Sequence, residues 1–346
     1  PTVIYTVYKS SAASDVYKRQ LPSQNRALLA FLTDDAASQA ALADSLDLQS
    51  FYLQQAMVLN WPDNYDTKLR YLQHLIDSID DPLLQGWARE IMAQIRAGLG
   101  RWDQARQDFA LLPEQQQPWR LTYESILMAM PFTLCTEDEI LLQIAQVERW
   151  RPQKNARLEE DSYGLVGSRY NPDFALHPHM KEFALGMLQM RLGDLAKARQ
   201  ALQRFRALEV EAGSKPMVKE LELSLAGWIA YRDGNPQGVL EILAAAAQYT
   251  LTDMGYSGLH DRPFQRYLRG LALADVGRLE DAIPWLRNID DKSERNKAYI
   301  VPSYRMLGQW HAQLGDTETA QDYYRKFLFW YRECDERYRG QVEEVE

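Results

Sequence analysis

Cysteine is scarce in this sequence: only Cys135 and Cys334 occur in 346 residues, far apart in the chain. They form no CxxC pair, so the sequence indicates neither a disulfide framework nor a cysteine-ligated zinc site. Apolar runs are also short, since none approaches the roughly 18 residues that a membrane-spanning helix needs. We therefore predict reduced thiols in a cytoplasmic protein, with no membrane span in the observed sequence.

Basic residues are too few and too scattered for a nucleic-acid surface. The whole chain carries a formal net charge of −9. Residues 1–20 hold three basic residues and one acidic residue, so the rest of the chain carries −11. Nucleic-acid binding requires a basic surface that displaces counterions from phosphates. DNA and RNA are therefore not expected among the partners.

No catalytic motif stands out. There is no Walker A loop, no GxGxxG loop and no HExxH helix. Ser257, His260 and Asp261 lie close together in sequence, but a nucleophile elbow requires G-x-S-x-G between a strand and a helix. The chain is predicted not to be an enzyme and to need no cofactor, and any catalytic domain would lie in a missing N-terminal part.

His177 and His179 flank Pro178 in a segment that we interpret as the end of a loop, just before a helix that begins at Met180. An extended backbone here would point both imidazoles to the same side, as a metal prefers. No Cys, Asp or Glu falls at ligand spacing beside them, although a zinc site takes three or four protein ligands. We therefore predict no metal site, and a tightly bound metal would revive the enzyme interpretation.

Residues 10–20, SSAASDVYKRQ, resemble a transposase-type sequencing adapter translated in frame. We therefore interpret residues 1–20 as a disordered artefact with no part in the fold. The same interpretation implies a bacterial, metagenomic source and the loss of the native N-terminus. A signal peptide, an anchor or a further domain before Leu21 stays open.

Five stretches of the chain have the same types of residue at three equivalent positions. Each has a turn glycine after an apolar run, a small residue seven positions earlier and Ala or Val five positions later. The turn glycines are Gly100, Gly193, Gly234, Gly277 and Gly315. The earlier residues are Ala93, Gly186, Gly227, Gly270 and Gly308, and the later ones are Ala105, Ala198, Val239, Ala282 and Ala320.

This spacing predicts a hairpin of two antiparallel helices. A glycine after an apolar run suits the left-handed position that ends a helix. The small residue two turns back lets a neighbouring helix approach closely, and the residue in the following helix does the same from the other side. Stacked hairpins that bury their faces against their neighbours predict one all-α array of about five to eight repeats.

The pattern resembles the tetratricopeptide repeat from about Leu83 to Tyr331. The resemblance implies an α-solenoid of antiparallel helix hairpins. The last four turn glycines are 41, 43 and 38 residues apart, where the family repeats about every 34 residues. We therefore expect longer connections between hairpins and an irregular superhelix.

One repeat domain is expected over residues 21–340, followed by an acidic tail at 341–346. Between Gly100 and Gly193, TYESILMAMPFTL and TEDEILLQIAQVERW predict two further helices. Thr136, with Glu139 three residues on, predicts a capping box at the start of the second. The stretch near 151–179 has Pro, Gly and Asn but no helical period, so it predicts an insertion loop.

In the family that this pattern resembles, the concave surface is lined by four positions in the first helix of each hairpin. Carried onto this chain, those offsets give a markedly apolar lining that lacks the Lys, Arg and Asn of the family's peptide-carboxylate clamps. The positions predicted to line a partner groove are Met180, Phe183, Met187, Met190, Ser224, Trp228, Tyr231, Phe264, Tyr267 and Leu271.

Two interpretations of these ten positions stay open. Methionine packs adaptably and aromatic anchors dominate binding energy, so the groove would suit an apolar helix or peptide. A helical stripe of Met and aromatic residues is also typical of core, here covered by the insertion loop or by a missing N-terminal part. Exposed apolar patches are uncommon unless a protein uses them.

The sequence thus predicts a non-catalytic scaffold that binds a protein or peptide partner through an apolar concave groove. The alternative is that the chain is the C-terminal regulatory or sensory tail of a truncated multidomain signalling protein, such as a kinase, a cyclase or a transcriptional activator. That alternative rests on analogy with the helical repeat tails of such proteins.

Overall fold

The computed structural model describes residues 29–43, 63–152, 176–210, 214–246, 262–289 and 296–346. Every regular element in these ranges is a helix, and no strand occurs in them, so the all-α prediction is confirmed. No helix there combines the length and the apolar character needed to cross a membrane. The predicted artefact at residues 1–20 lies outside the described residues, as does most of the predicted insertion loop, at 153–175.

Contacts divide the chain into two compact units, Pro1–Ala88 and Arg89–Glu346, where the sequence pattern predicts one domain. In the first unit, α1 spans Ala36–Ala43 and α2 spans Tyr65–Ser78. Helix α3, Pro82–Gly98, begins in the first unit and ends in the second.

The first unit packs around Phe31. Its ring meets the ring of Tyr71 edge-on, with 5.2 Å between the centroids. Leu72 and Leu75 of α2 are also buried. Arg70 donates a hydrogen bond to the carbonyl oxygen of Phe31 at 2.7 Å, so the apolar contact and a polar one hold the same segment.

The second unit is built from antiparallel helix pairs. After the end of α3 come α4 (Trp102–Ala110), α5 (Gln117–Ala129), α6 (Glu137–Arg149), α7 (His177–Leu192), α8 (Leu195–Ala207), α9 (Lys215–Arg232), α10 (Pro236–Ala244), α11 (Pro263–Asp275), α12 (Leu279–Arg287), α13 (Lys297–Gln313), α14 (Thr317–Tyr331) and α15 (Arg339–Glu343).

All five predicted turn glycines have a positive φ, between 70° and 84°. At the end of α7, the Gly193 amide donates to the Met190 carbonyl and the Asp194 amide donates to the Gln189 carbonyl, both at 3.0 Å. This double closure is a Schellman-type helix end, which needs the left-handed backbone that glycine adopts at little cost. The Asp194 carboxylate then accepts from the Lys197 amide at 3.0 Å and caps α8.

The small residues seven positions before the turns lie where helices touch. A Cβ on Gly186 would lie 2.7 Å from the Leu225 side chain, and one on Gly227 would lie 3.0 Å from Leu268. The residues five positions after the turns are buried as well, with 0% exposure at Ala198. The predicted hairpins are therefore confirmed. Their irregular period arises between hairpins, where residues 245–262 separate α10 from α11.

The first and last hairpins of the second unit are in contact. Gly98, at the end of α3, lies so close to α13 that a Cβ there would be 2.6 Å from the Lys297 carbonyl oxygen. The Asp335 amide donates to the Gly100 carbonyl oxygen at 2.9 Å. Helix α5 packs on α4 and on α7, and α7, α9, α11 and α13 pack in succession. The array of hairpins therefore closes on itself.

Helix α5 lies inside this closed array. Every side chain from Leu121 to Ala129 is buried. The helix that follows, α6, begins with the predicted capping box: Thr136 Oγ1 accepts from the Glu139 amide at 3.2 Å, and the Glu139 carboxylate accepts from the Thr136 amide at 2.7 Å. The prediction of this helix start is confirmed.

Helix α7 begins at His177, not at Met180 as the sequence pattern predicts. The prediction of an extended loop through His179 was wrong because Pro178 occupies the first turn of the helix, where proline's missing N–H leaves no hydrogen bond unmade. At the other end of the chain, α15 extends into the predicted acidic tail, and Val342 is buried.

Candidate functional site

The ten positions predicted to line a partner groove lie on α7, α9 and α11. Nine of them are buried within the chain itself, from 0% exposure at Phe183 to 6% at Leu271, and Tyr231 is half-buried. A partner therefore reaches few of them in this structure. That the set as a whole contacts a partner stays a prediction.

Helix α5 covers the part of the stripe that lies on α7, since the two helices pack closely together. Tyr123 and Ile126 of α5 also meet Phe264 of α11 and Tyr299 of α13 around a cavity of only about 20 Å³. A void of that size has room for about one water molecule. The chain's own helix thus occupies the space that a bound peptide helix would need.

The segment that leaves α5 covers the next part. The Phe132 ring meets Tyr267 and Tyr299 edge-on, at centroid distances of 5.4 Å and 5.3 Å. Arg191, near the end of α7, donates to the Thr133 carbonyl oxygen at 3.0 Å. These contacts hold the segment against α11 and α13.

Ser224 belongs to a polar cluster that joins α9 to α11. Gln265 donates to Ser224 Oγ at 2.9 Å and to the Glu220 carboxylate at 3.2 Å. Arg262 pairs with the same carboxylate. These bonds are internal to the fold. Ser224 therefore helps to hold together α9 and α11, which are the first helices of two successive hairpins.

An opening remains where α9, α11 and α13 come together, and we call it the open cavity. Its volume is about 170 Å³. Three of the ten predicted positions line it, and most of its other lining residues lie on the α5–α6 connection and on α13. The lining residues are Tyr231, Tyr267, Leu271, Pro131, Phe132, Pro302, Arg305, Met306 and Gln341.

Arg305 is the charged group of the open cavity. It pairs with Glu344, which follows α15, and the side chains of the two residues are 22% and 58% exposed. Arg305 Nε is buried and has no hydrogen-bond partner among the described residues. Because both side chains are partly exposed, solvent reaches the pair. The carboxylate of an incoming partner can replace that of Glu344 on the guanidinium group.

The two tyrosines of the open cavity are neutral. Burial and a hydrogen bond to Asp275 raise the pKa of Tyr231 above its usual value. Burial likewise raises the pKa of Tyr267. At neutral pH the cavity therefore offers aromatic walls and phenol hydroxyls beside one guanidinium group.

The two histidines considered as metal ligands make separate aromatic contacts. His177 packs against Trp150 at a centroid distance of 5.7 Å, and His179 packs against Phe205 at 5.0 Å. Burial lowers the pKa of His177 to about 4. Within the described ranges no three metal-ligating side chains come together. Ser257, His260 and Asp261 lie outside those ranges.

Neither cysteine is placed for nucleophilic chemistry. Both are free thiols in this structure. Burial, assisted by the nearby Glu139 carboxylate, raises the pKa of Cys135 to about 12. Burial also raises the pKa of Cys334. Because the thiolate is the reactive form, both residues are inert near neutral pH.

Two segments of the chain match family models that are described as tetratricopeptide repeat, at residues 182–208 and 301–334. The first match covers most of the α7–α8 hairpin and the second covers most of α13 and all of α14. The chain carries tetratricopeptide repeats. Gly193 and Gly315 are the turn glycines of these two repeats. No curated protein matches the chain.

Two features of the second unit were not predicted from the sequence: Pro302 and Arg305 line the open cavity, and α5 lies inside the closed array. The offsets that select the ten groove positions would have found the first feature. Applied to the last repeat, they select Pro302 and Arg305, which lie thirteen and ten residues before Gly315. The interior position of α5 has no clear signal in the sequence, because polar residues such as Arg120 and Glu124 interrupt its apolar residues.

Proposed function

We propose that this chain is a non-catalytic interaction scaffold that binds a short segment of a partner protein at the open cavity. Tetratricopeptide repeats generally mediate protein–protein interaction, and domains built from them are typically non-catalytic. We choose the open cavity as the binding surface because the half-buried Tyr231 and the partly exposed Arg305 line it, while α5 covers the part of the stripe that lies on α7.

The partner segment supplies one apolar side chain and one carboxylate. The apolar side chain enters between Tyr267, Leu271 and Met306, which line the cavity. Aromatic and methionine walls adapt well to such a side chain. The carboxylate of the same segment pairs with Arg305, because a guanidinium group binds carboxylates through short, charge-assisted hydrogen bonds.

The chain's own Glu344 supports this choice of partner chemistry. Its carboxylate already occupies Arg305, beside Gln341 at the cavity wall. A partner carboxylate therefore replaces a group of the same kind. The contact area is small, so we expect weak binding typical of transient complexes.

A random peptide library selected against the full chain tests the proposal. Enriched peptides should place an apolar residue next to Asp or Glu. Arg305→Gln should weaken a selected peptide about tenfold or more, because a hydrogen bond to a charged group contributes about 1.5–3 kcal/mol. Glu344→Gln should strengthen it by releasing Arg305.

Arg325→Gln is the matched control, since Arg325 is exposed on α14 and pairs with Asp322 of the same helix. It should leave peptide affinity unchanged. Selected peptides that bind the Arg305→Gln and Leu271→Asp variants as tightly as the unaltered chain would place the binding surface elsewhere. The alternative of a truncated signalling protein stays a prediction, which an intact sequence of the genomic locus would test.

A further inference from the structure

A second cavity, the polar pocket, lies between α4, α5 and α6. Its volume is about 320 Å³, at the lower end of the range for small-molecule sites. Charged and amide side chains make up most of its lining, whereas apolar and aromatic side chains make up most of the lining of the open cavity. The polar lining residues are Asp103, Arg106, Gln107, Arg120, Glu124 and Gln146.

Glu124 is the buried charge of the polar pocket, with a side chain only 7% exposed. Its nearest cationic atoms are Arg106 Nε at 3.5 Å and Arg120 Nε at 3.9 Å. Both distances exceed the roughly 2.7–3.2 Å of an N–H···O hydrogen bond. Burial raises the pKa of Glu124, although the charges of both arginines and a hydrogen bond from Arg106 act to lower it, so burial outweighs the two cations beside this carboxylate.

The two arginines are also incompletely paired. Arg106 Nη1 contacts Glu139 at 3.1 Å, and Arg120 Nη2 donates to Gln146 Oε1 at 2.7 Å. These bonds to α6 fix the direction of both guanidinium groups. In each, Nε is buried and has no hydrogen-bond partner among the described residues. Both guanidinium groups line the pocket, and each has five N–H donors, so donors remain for a ligand.

The charges of the polar pocket balance. Two arginines and two carboxylates line it, the buried Glu124 and the exposed Asp103, and Asp103 also pairs with Arg337. A simple anion would meet the carboxylates and a simple cation would meet the guanidinium groups. A ligand that carries both signs satisfies both sets, since like charges brought together are unfavourable and opposite charges attract.

We propose that the polar pocket binds a small zwitterion of the α-amino-acid class. Its ammonium group donates to Glu124 and Asp103, and its carboxylate accepts from the guanidinium groups of Arg106 and Arg120. The ligand then bridges α4 to α5, the helix that fills the closed array. This site is separate from the open cavity and does not depend on the function proposed there.

Thermal unfolding of the full chain in the presence of an equimolar mixture of the twenty protein amino acids tests this site. At free ligand concentrations about 100-fold above Kd, the melting temperature should rise by about 5 °C. The individual amino acids then identify the ligand. Its N-acetyl derivative lacks the ammonium group and its amide lacks the carboxylate, so neither should give the shift.

Two variants locate the effect. Glu124→Gln removes the buried charge, and Ala110→Phe fills the pocket from its exposed rim without altering a charged group. Both should abolish the shift, and Ala110→Phe decides the test if Glu124→Gln does not fold. Arg204→Gln, which breaks an exposed pair with Glu182 on α7, should keep it.

Three results would overturn the proposal. The first is that no amino acid changes the melting temperature of the unaltered chain, which would mean that water fills the polar pocket. The second is an equal shift in the Ala110→Phe variant, which would put the ligand elsewhere. The third is an equal shift with the N-acetyl derivative, which would show that the pocket takes a plain anion.

Discussion

Arg337 donates a hydrogen bond to Glu139 at 2.9 Å across 198 residues of sequence. The same guanidinium group reaches Asp103 of α4 at 2.9 Å and the Leu134 carbonyl oxygen at 3.0 Å. Arg337 follows α14, whereas its partners lie on or beside α4 and α6. One side chain therefore joins the last hairpin of the second unit to the first.

Arg337→Gln should lower the free energy of unfolding by about 1–3 kcal/mol, because it removes charge-assisted hydrogen bonds to the partly buried Glu139 and to the exposed Asp103. Urea denaturation measures the change. Arg325→Gln provides the comparison: that exposed pair within one helix should contribute less than about 1 kcal/mol. Equal effects of the two substitutions would contradict a joining role for Arg337.

The Glu139 contact should also make stability depend on acid. Burial by itself raises the pKa of Glu139, but hydrogen bonds from Arg337 and the Thr136 amide outweigh it and hold the pKa below its usual value. A carboxyl group with a lowered folded-state pKa stabilises the fold at neutral pH and loses that contribution as pH falls through the lowered value. In Arg337→Gln the acid-dependent part of the unfolding free energy should shrink.

Phe183→Ala should cost about 3–5 kcal/mol of stability, as expected for a fully buried aromatic side chain. Phe183 is 0% exposed and packs on Phe264 at a centroid distance of 5.6 Å. Phe329, which is 54% exposed on α14, offers the same substitution at the surface, where the cost should stay below about 1 kcal/mol. A small cost at Phe183, measured by urea denaturation, would mean that α5 does not cover this part of the stripe.

Gly193→Ala should destabilise the α7–α8 hairpin by about 1–2 kcal/mol, because an L side chain at φ 84° is strained. No atom lies within 4 Å of the added Cβ, so crowding does not contribute. Gly193→Asn should cost less, since asparagine tolerates the left-handed region better than alanine. Thermal unfolding of both variants measures the difference, and an equal cost would show that backbone conformation is not the cause.

His177 should make the fold sensitive to mild acid. Burial lowers the pKa of His177 from its usual value of 6.5 to about 4. Between those pH values the unfolded chain takes up a proton that the folded chain does not, so stability falls as pH falls from 6.5 to 4 and no further below. The loss is on the order of 3 kcal/mol. His177→Phe should flatten this part of the stability–pH curve, and an unchanged curve would contradict the burial.

The hairpins were predictable from the sequence because glycine has a local reason to stand at each turn. Gly193 and Gly315 need a left-handed backbone, and Gly186 needs a close approach to Leu225. Both requirements act within a few residues or between neighbouring helices. The start of α7 was misread for a local reason as well, since Pro178 suits either an extended segment or the first turn of a helix.

The candidate site was only partly predictable. Helical spacing picks the face on which Phe183, Trp228 and Tyr267 lie, but not what covers that face. Helix α5 covers the part of that face on α7 and Phe132 covers Tyr267, and both sets of contacts link residues far apart in sequence. Such packing depends on how the whole array closes, which no local pattern specifies.

The contact between the Asp335 amide and the Gly100 carbonyl oxygen also sets how many helix pairs the second unit can hold. Open stacks of helix pairs gain or lose members readily, because each member touches only its neighbours. In a ring, an additional pair would push these two atoms apart by roughly the 8–10 Å between packed helix axes. Unlike an open stack, the second unit cannot gain a helix pair without breaking this hydrogen bond between Asp335 and Gly100.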